Sequence, residues 1–206
     1  MSFFPILLEL SAAPCLVAGG GALGLRKAKT LLACGAAVTV ADPAPGPALE
    51  GLPVTLLRRK ACPEDVEGKM LVVDATGDEE ARRMLSAACR ERHVPFNSAC
   101  STEDGSAVFP AVFRRGRTVL AISTLGASPI VSTHLRDALA QQLPEGMDAI
   151  LDAMAALRPR SRAEFADQKL RSDFLHRCLE EMLALSRPLT QGEIESVIRE
   201  MKENRL

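Results

Sequence analysis

The sequence predicts an α/β protein in which a parallel β-sheet comes first and helices come last. Short apolar runs alternate with helical segments up to about residue 105. This pattern is typical of a parallel sheet that is covered by helices on both faces. Two strand-like runs then follow each other directly, and only helical patterns remain after Pro144. The expected order is therefore a parallel sheet, a small α+β region and an all-helical C-terminal tail.

The part of the chain that forms the parallel sheet is expected to contain five strands and two helices. The apolar run before a glycine-rich turn predicts the first strand, and Gly35 is a natural stop for the helix after that turn. Strands are predicted at 15–18, 37–40, 54–57, 70–73 and 94–97, and helices at about 22–33 and 79–92.

A hairpin and a helix are predicted after the sheet. The runs 106–113 and 117–123 are strand-like, and Arg114-Arg115-Gly116 between them predicts the turn. Ser128 suits a helix N-cap and Pro129 suits the first helical position. A helix is therefore expected from this point to about Leu143.

The tail contains two capping-box patterns, in which a Ser or Thr is followed three residues later by a Glu. Ser161 and Glu164 predict a helix over about 162–185, and Thr190 and Glu193 predict one over about 191–204. Pro188 falls in the break between these two helices.

The composition argues against several classes of function. The 206 residues have a formal net charge of −1, and they include no Trp and no Tyr. Stacking of single-stranded bases needs aromatic side chains, and attraction to phosphate or anionic lipid needs positive charge. No apolar run approaches the roughly 20 residues that cross a bilayer, and the apolar start does not resemble a signal peptide. We expect neither a nucleic-acid nor a membrane partner.

The cysteines and histidines do not have the spacing of metal ligands. The six cysteines form no CxxC pair and the three histidines are far apart, so no metal site is expected. Scattered cysteines fit a reducing compartment, where they behave as small buried apolar residues. We therefore expect the protein to be cytoplasmic.

The glycine-rich turn after the first strand predicts a dinucleotide site. Its sequence, GGGALG, satisfies GxGxxG between a strand and a helix. Gly19 would permit the tight turn, Gly21 would let a pyrophosphate approach the backbone, and Gly24 would allow close packing of helix on sheet. Backbone N–H groups at the helix start, at Ala22 and Leu23, would face the phosphates. These features predict a Rossmann-type domain.

An acidic residue at the end of the second strand favours NAD over NADP. Asp42, followed by Pro43, has the spacing from Gly19 of a carboxylate that binds the ribose 2′-hydroxyl and repels a 2′-phosphate. The nicotinamide should lie at the carboxyl ends of the central strands, near Thr76 and residues 97–100. The alternative is a purely structural turn with a solvent-facing Asp42.

Two runs of the chain, one from Gly19 to Val40 and one from Ser123 to Pro129, resemble motifs of the precorrin-2 dehydrogenase family of siroheme synthesis, whose members are sometimes also sirohydrochlorin ferrochelatases. The family motif GGGxVAxRKxxxLLxxGAxVTV is similar to GGGALGLRKAKTLLACGAAVTV, which starts at Gly19. A second family motif, Ser-x-x-Gly-x-Ser-Pro, matches the run from Ser123 to Pro129. The resemblance extends from about Phe4 to about Leu143, and the helical tail matches in length and character.

The resemblance implies an NAD-dependent enzyme that removes two hydrogens from precorrin-2 and yields sirohydrochlorin and NADH. It implies a homodimer with an NAD-binding domain at 1–112, a dimerisation and substrate region at 113–145 and a helical domain at 146–206.

The resemblance also places a hydroxyl of one loop in the substrate pocket, at Thr124. Ser123, Gly126 and Ser128 lie beside it, and the helix that starts there offers an N-terminus to the carboxylates of the macrocycle. The alternative is that Ser128 serves only as a helix cap.

The chain departs from the family at position 100. The family's catalytic aspartate ends the motif Asn-Val-Val-Asp, and residues 97–100 read Asn-Ser-Ala-Cys. A thiol with a pKa of about 8.5 is a poorer base than a carboxylate at neutral pH. Three interpretations stay open: Cys100 replaces the aspartate, Cys100 packs while Asp104 or Glu103 takes the role, or one activity, such as iron insertion, is lost.

Other functions fit parts of the sequence. A bifunctional dehydrogenase and ferrochelatase is the nearest alternative, although the cysteine at position 100 counts against it. A non-catalytic NAD-sensing module would share the glycine turn and Asp42 but would not need the loop 124–129. A tetrapyrrole carrier would bind the macrocycle without converting it.

Overall fold

The structure is a computed structural model that describes residues 3–99 and 104–203. The chain divides into two compact units, Met1–Phe109 and Pro110–Leu206. The three-part division expected from the resemblance stays a prediction.

The first unit contains the predicted parallel sheet. The described residues of this unit form five strands in the order β3-β2-β1-β4-β5, and all of them pair in parallel. The strands are β1 (Pro14–Ala18), β2 (Ala37–Ala41), β3 (Thr55–Leu57), β4 (Leu71–Asp74) and β5 (Phe96–Ser98), and the helices are α1 (Ala22–Leu32) and α2 (Glu79–Glu91). The α/β class and the strands predicted from apolar runs are confirmed. The last strand, β5, begins two residues later than predicted, at Phe96.

Alternate residues of the central strands enter two separate cores. Val17 and Val73 pack with Ala28 and Leu31 of α1 on one face of the sheet. Their neighbours Leu16 and Val72 pack on the other face with Leu85 of α2 and with Phe96, the first residue of β5. Burial on both faces explains why these strands read as continuous apolar runs.

The strand order reverses between β1 and β4. From β1 the chain proceeds outward to β2 and β3, and then returns to β4 on the other side of β1. In open α/β sheets, ligands bind beyond the carboxyl ends of the strands at such a reversal. The glycine turn after β1 and the loop after β4 meet at this point.

The described residues of the second unit, 110–203, form a hairpin and four helices. Strands β6 (Ala111–Arg115) and β7 (Thr118–Ile122) pair in antiparallel fashion. The helices are α3 (Pro129–Gln141), α4 (Met147–Glu164), α5 (Gln168–Leu185) and α6 (Gln191–Glu203). The last three share a core around Ile150, Phe174 and Met182, which are fully buried.

The hairpin turn is shorter than the sequence predicted. Arg114 and Arg115 lie in β6, and the turn is Gly116-Arg117, with Arg115 opposite Thr118. Gly116 has a φ of +53°, and two-residue hairpin turns favour a residue with positive φ. The carboxylate of Asp148 in α4 accepts a 3.0 Å hydrogen bond from the Arg117 N–H. Residues 106–110, predicted as strand, lie outside β6.

The start of the helix predicted at about 162–185 is wrong, whereas its end at Leu185 is confirmed. Helix α4 continues to Glu164 with Pro159 inside it, and Ser161 is buried with its Oγ donating to the carbonyl of Arg158 at 2.8 Å. The break falls after Glu164 because the Asp167 carboxylate caps α5 by accepting from the Leu170 N–H. A Ser and a Glu three residues apart also occur inside helices, so the pattern alone misplaced the boundary.

The other capping box is confirmed. The Thr190 N–H donates to Glu193 Oε2 at 2.7 Å, and the Glu193 N–H donates to Thr190 Oγ1 at 3.4 Å. Among the helices formed by the described residues, none is long and apolar enough to span a membrane.

Candidate functional site

The glycine turn after β1 leaves no room for a side chain at Gly19 or at Gly24. Gly19 has a φ of +100°, and a Cβ there would lie 2.5 Å from the Ala75 carbonyl oxygen. A Cβ on Gly24 would lie 1.9 Å from the Gly19 carbonyl oxygen. Neither position can accept another residue without moving the backbone. Gly24 therefore permits close packing chiefly against the turn itself.

Gly21 leaves open space at the start of α1. A Cβ there would meet nothing within 4 Å, so the fold does not require glycine at this position. Gly21 is the N-cap of α1 and offers no side-chain hydrogen bond, and the first helical turn contains no acidic residue. The free N–H groups at the helix start, which include those of Ala22 and Leu23, therefore favour an anion.

Asp42 fastens the end of β2 to the glycine turn. Its Oδ2 accepts from the Gly20 N–H at 2.6 Å, and its Oδ1 accepts from the Ala44 N–H at 2.7 Å. The Gly46 N–H donates in turn to the Gly20 carbonyl at 3.0 Å. This structural role was not foreseen from the sequence. Each carboxylate oxygen has a second lone pair, so a ribose hydroxyl can still bind there.

A cleft of about 620 Å³ opens beside the turn. It brings together five of the cofactor residues predicted from the sequence, which are Gly19, Gly21, Asp42, Pro43 and Thr76. Ala22, Leu23 and Gly24 are not part of its lining. The cleft residues Lys60 and Met84 were not predicted from the sequence, because they lie in a loop and a helix whose position depends on the whole sheet.

The end of β4 carries a buried carboxylate. Asp74 Oδ1 accepts from the Thr76 N–H at 3.0 Å and from Thr76 Oγ1 at 2.6 Å. Asp74 is 1% exposed, and its Oδ2 has no hydrogen-bond partner among the described residues. Thr76 therefore holds the turn after β4, and one oxygen of Asp74 is left unsatisfied beneath the cleft. A charged residue at the end of an apolar run was the signal that could have identified Asp74.

A lysine lies against the end of β5. Lys27 Nζ donates to Asn97 Oδ1 at 3.3 Å and lies 4.0 Å from the centroid of the Phe109 ring. Asn97 Nδ2 donates to the Ala107 carbonyl at 2.9 Å. Burial, with a smaller contribution from Arg26, lowers the pKa of Lys27 to about 8. In the sequence, Lys27 is recognisable only as part of the motif that starts at Gly19.

The candidate catalytic residues are only partly described. Cys100 and Glu103 lie outside the described residues. Asp104 Oδ2 accepts from Arg82 Nε at 2.7 Å, and the Asp104 carbonyl accepts from Ser86 Oγ at 3.0 Å. Asp104 is therefore tied to α2, and its catalytic role stays a prediction.

In the second unit, the hydroxyls of the loop before α3 hold the loop itself. Thr124 Oγ1 accepts from the Ser128 N–H at 3.1 Å and lies 2.9 Å from Ser132 Oγ. Ser123 Oγ accepts from the Leu125 N–H at 3.1 Å. Ser128 Oγ accepts from the Val131 N–H at 3.3 Å, which confirms the predicted N-cap. Their contact with a substrate, and that of Gly126, stays a prediction.

Within residues 3–99 and 104–203, no three His, Cys, Asp or Glu side chains are grouped so that they could hold a metal ion.

Comparison with known proteins relates the chain to nicotinamide-binding proteins and to siroheme synthases. The family described as "Putative NAD(P)-binding" matches residues 6–111. The siroheme synthase of Thioalkalivibrio sulfidiphilus is 34% identical over 184 residues, which cover 87% of this chain and 38% of that protein. The siroheme synthase of Methylococcus capsulatus is 33% identical over 184 residues, which cover 87% of this chain and 39% of that protein. The chain thus spans about two fifths of the length of these relatives.

A solved structure has the same fold. The protein "SirC, precorrin-2 dehydrogenase" superposes with a TM-score of 0.68 at 23% identity, covering 98% of this chain and 100% of the other. The match includes both the parallel-sheet unit and the helical tail. With its glycine turn, its cleft and a family match over more than half of its length, the chain belongs to the family described as "Putative NAD(P)-binding".

Proposed function

We propose that this chain is an NAD-dependent dehydrogenase that converts precorrin-2 to sirohydrochlorin with release of NADH. The observation that carries the proposal is the cleft beside the glycine turn, where open space at Gly21 adjoins the free N–H groups of α1. The relatives named siroheme synthase and the structural neighbour named precorrin-2 dehydrogenase supply the substrate class.

The residues of the cleft fit a dinucleotide. The pyrophosphate would lie over Gly21 at the start of α1, and a ribose hydroxyl would donate to Asp42. We propose NAD instead of NADP because the Asp42 carboxylate would repel a 2′-phosphate. When bound, NAD supplies the acceptor for a hydride.

The chain must also direct one proton away from the substrate, since two hydrogens leave and only one is transferred as hydride. Cys100 and Asp104 are the candidates for this role. Asp104 is already paired with Arg82, which would keep its carboxylate oriented. We expect iron insertion to be weak or absent, because a cysteine stands where the family has its aspartate.

We further propose that Ser123, Thr124, Gly126 and Ser128 contact the macrocycle, and that the chain forms a homodimer. Support for the dimer comes from α3, where four apolar side chains are more than two fifths exposed: Ile130, Val131, Leu135 and Leu139. A cytoplasmic location is supported by the cysteines of residues 3–99 and 104–203, because all of them are free thiols.

The experiment that tests the function combines purified protein, NAD and precorrin-2, and follows NADH by absorbance. Steady NADH formation supports the dehydrogenase. Retention of the macrocycle without NADH would overturn it in favour of a carrier, and uptake of NAD without retention of the macrocycle would favour a sensing module. Substitution Cys100→Asp, assayed with sirohydrochlorin and ferrous iron, tests whether the cysteine limits iron insertion.

A further inference from the structure

Lys27 is a half-buried cation that faces neutral groups. It lies in the second turn of α1, and its ammonium contacts Asn97 Oδ1 and the ring of Phe109. Among the ion pairs formed by residues 3–99 and 104–203, none includes Lys27. A partly buried ammonium without a carboxylate partner is unfavourable for folding.

The contacts of Lys27 fix the position of its ammonium. The Asn97 amide is anchored at its other end, because Nδ2 donates to the Ala107 carbonyl. This bond points Oδ1 toward Lys27. The Phe109 ring lies on the core beneath α1 and offers the electron-rich face that attracts a cation. Both neighbours hold the ammonium, but neither neutralises its charge.

The position of Lys27 is at the edge of the sheet where ligands bind. Asn97 is the second of the three residues of β5, next to the carboxyl end of that strand. The neighbouring strand β4 ends level with β5, since their last residues, Asp74 and Ser98, pair with each other. The loop after β4 lines the cofactor cleft. The nicotinamide end of the cofactor, and with it the reacting part of a substrate, is expected at this edge.

An ammonium can donate three hydrogen bonds. Asn97 accepts one of those from Lys27, which leaves two for a ligand. A carboxylate is the group that would satisfy both the free donors and the uncompensated charge. The proposed substrate carries eight carboxylates, whereas the nicotinamide end of NAD carries none.

We propose that Lys27 binds a carboxylate of the tetrapyrrole substrate, and that Asn97 and Phe109 position its ammonium for this contact. The inference rests on the proposed function and deepens it. It makes Lys27 a determinant of specificity for acidic macrocycles.

The test compares three variants of the full chain: Lys27→Met, Lys27→Arg and the control Lys29→Met, which removes an exposed lysine from the same helix. Binding of sirohydrochlorin is followed by the absorption of the macrocycle itself, and binding of NAD is measured by calorimetry. Lys27→Met should weaken sirohydrochlorin binding by about tenfold or more, as expected for loss of a charged hydrogen bond. Lys27→Arg keeps the positive charge and should retain most of the affinity for sirohydrochlorin, and Lys29→Met should retain all of it.

Two results would overturn the inference. Unchanged sirohydrochlorin affinity in Lys27→Met would leave Lys27 with no substrate contact. An equal loss of NAD affinity in that variant would assign the lysine to the cofactor phosphates. If the unsubstituted protein bound NAD but no sirohydrochlorin, the proposed function itself would fail, and this outcome is distinguishable from the other two. Steady-state kinetics add a further readout, because loss of an anchoring contact should raise KM more than it lowers kcat.

Discussion

The carboxylate of Asp42 accepts a 2.6 Å hydrogen bond from the backbone N–H of Gly20. The residue expected to bind the ribose thus also holds the loop that binds the phosphates. Any substitution of Asp42 changes both contacts, so the two roles must be separated by the choice of variant.

Asp42→Ala should lower the free energy of unfolding by about 2 kcal/mol, because two backbone N–H groups lose a charged acceptor. Asp42→Asn keeps one acceptor oxygen and should cost less. Its main effect should be on selectivity: the ratio of NADP to NAD dissociation constants should fall, because a negative charge no longer repels the 2′-phosphate. Calorimetry with both cofactors checks this, and an unchanged ratio would mean that Asp42 does not face the ribose.

Gly21→Val should abolish NAD binding without destabilising the protein. The new side chain would enter space that is open in the fold but that the pyrophosphate is expected to fill. Gly51→Val is the matched control, since a Cβ at Gly51 also meets nothing within 4 Å and lies outside the motif. Thermal unfolding and calorimetry measure the two effects, and full NAD affinity in Gly21→Val would contradict the proposed cofactor position.

Lys27→Met should stabilise the protein while weakening substrate binding. Burial lowers the pKa of Lys27 from 10.5 to about 8. After allowance for screening by solvent, removal of this charge should raise the free energy of unfolding by about 1 kcal/mol. Arg26, next to Lys27 in α1, carries a like charge, and the group that faces Lys27 from β5 is the neutral Asn97. Asp104, in the segment that leads to Phe109, is paired with Arg82.

The sign of this effect depends on pH. Below about pH 8 the lysine is charged in both the folded and the unfolded chain, so the folded state carries the full penalty and the variant has its full advantage. Between about pH 8 and 10.5 the folded protein loses the proton first, and the advantage disappears. Denaturant unfolding at several pH values measures the difference in free energy of unfolding between the variant and the unsubstituted protein. A variant that is less stable at neutral pH would indicate a structural role for the lysine.

Asp74→Asn should be more stable than Asp74→Ala by about 1 kcal/mol. The asparagine can keep the Oδ1 bonds to the N–H and hydroxyl of Thr76, and it removes a charge that is buried with one unsatisfied oxygen. Alanine leaves both Thr76 donors without that acceptor. Urea unfolding compares the two, and the reverse order would show that Oδ2 has a favourable role in the folded protein.

Ser128→Asp separates the two roles expected of that residue. Aspartate caps helices as well as serine does, so the stability of α3 should be retained, whereas Ser128→Ala should cost about 1 kcal/mol. A negative charge at the helix start should repel the carboxylates of a tetrapyrrole and weaken its binding several-fold. Unchanged sirohydrochlorin affinity in Ser128→Asp would leave Ser128 as a cap only.

The sequence predicted those features that depend on neighbouring residues. The apolar runs of β1 and β4, the glycine turn and the caps at Ser128 and Thr190 follow from local periodicity and local hydrogen bonding. The contact between Lys27 and Asn97 joins residues that are 70 positions apart, and no local pattern encodes such a distance. The boundary after Glu164 was missed for a related reason: the cap at Asp167 competes with an equally plausible pattern at Ser161.

The bond from the Arg117 N–H to Asp148 has a consequence for how the second unit unfolds. It joins the hairpin turn to the first turn of α4, and Arg115 adds a 2.8 Å bond to the Leu143 carbonyl just before that helix. Segments linked in this way tend to open together as one cooperative unit. Amide hydrogen exchange should therefore give the hairpin and α4 similar opening free energies, and a chain that ended at residue 145 should lose protection in the hairpin as well.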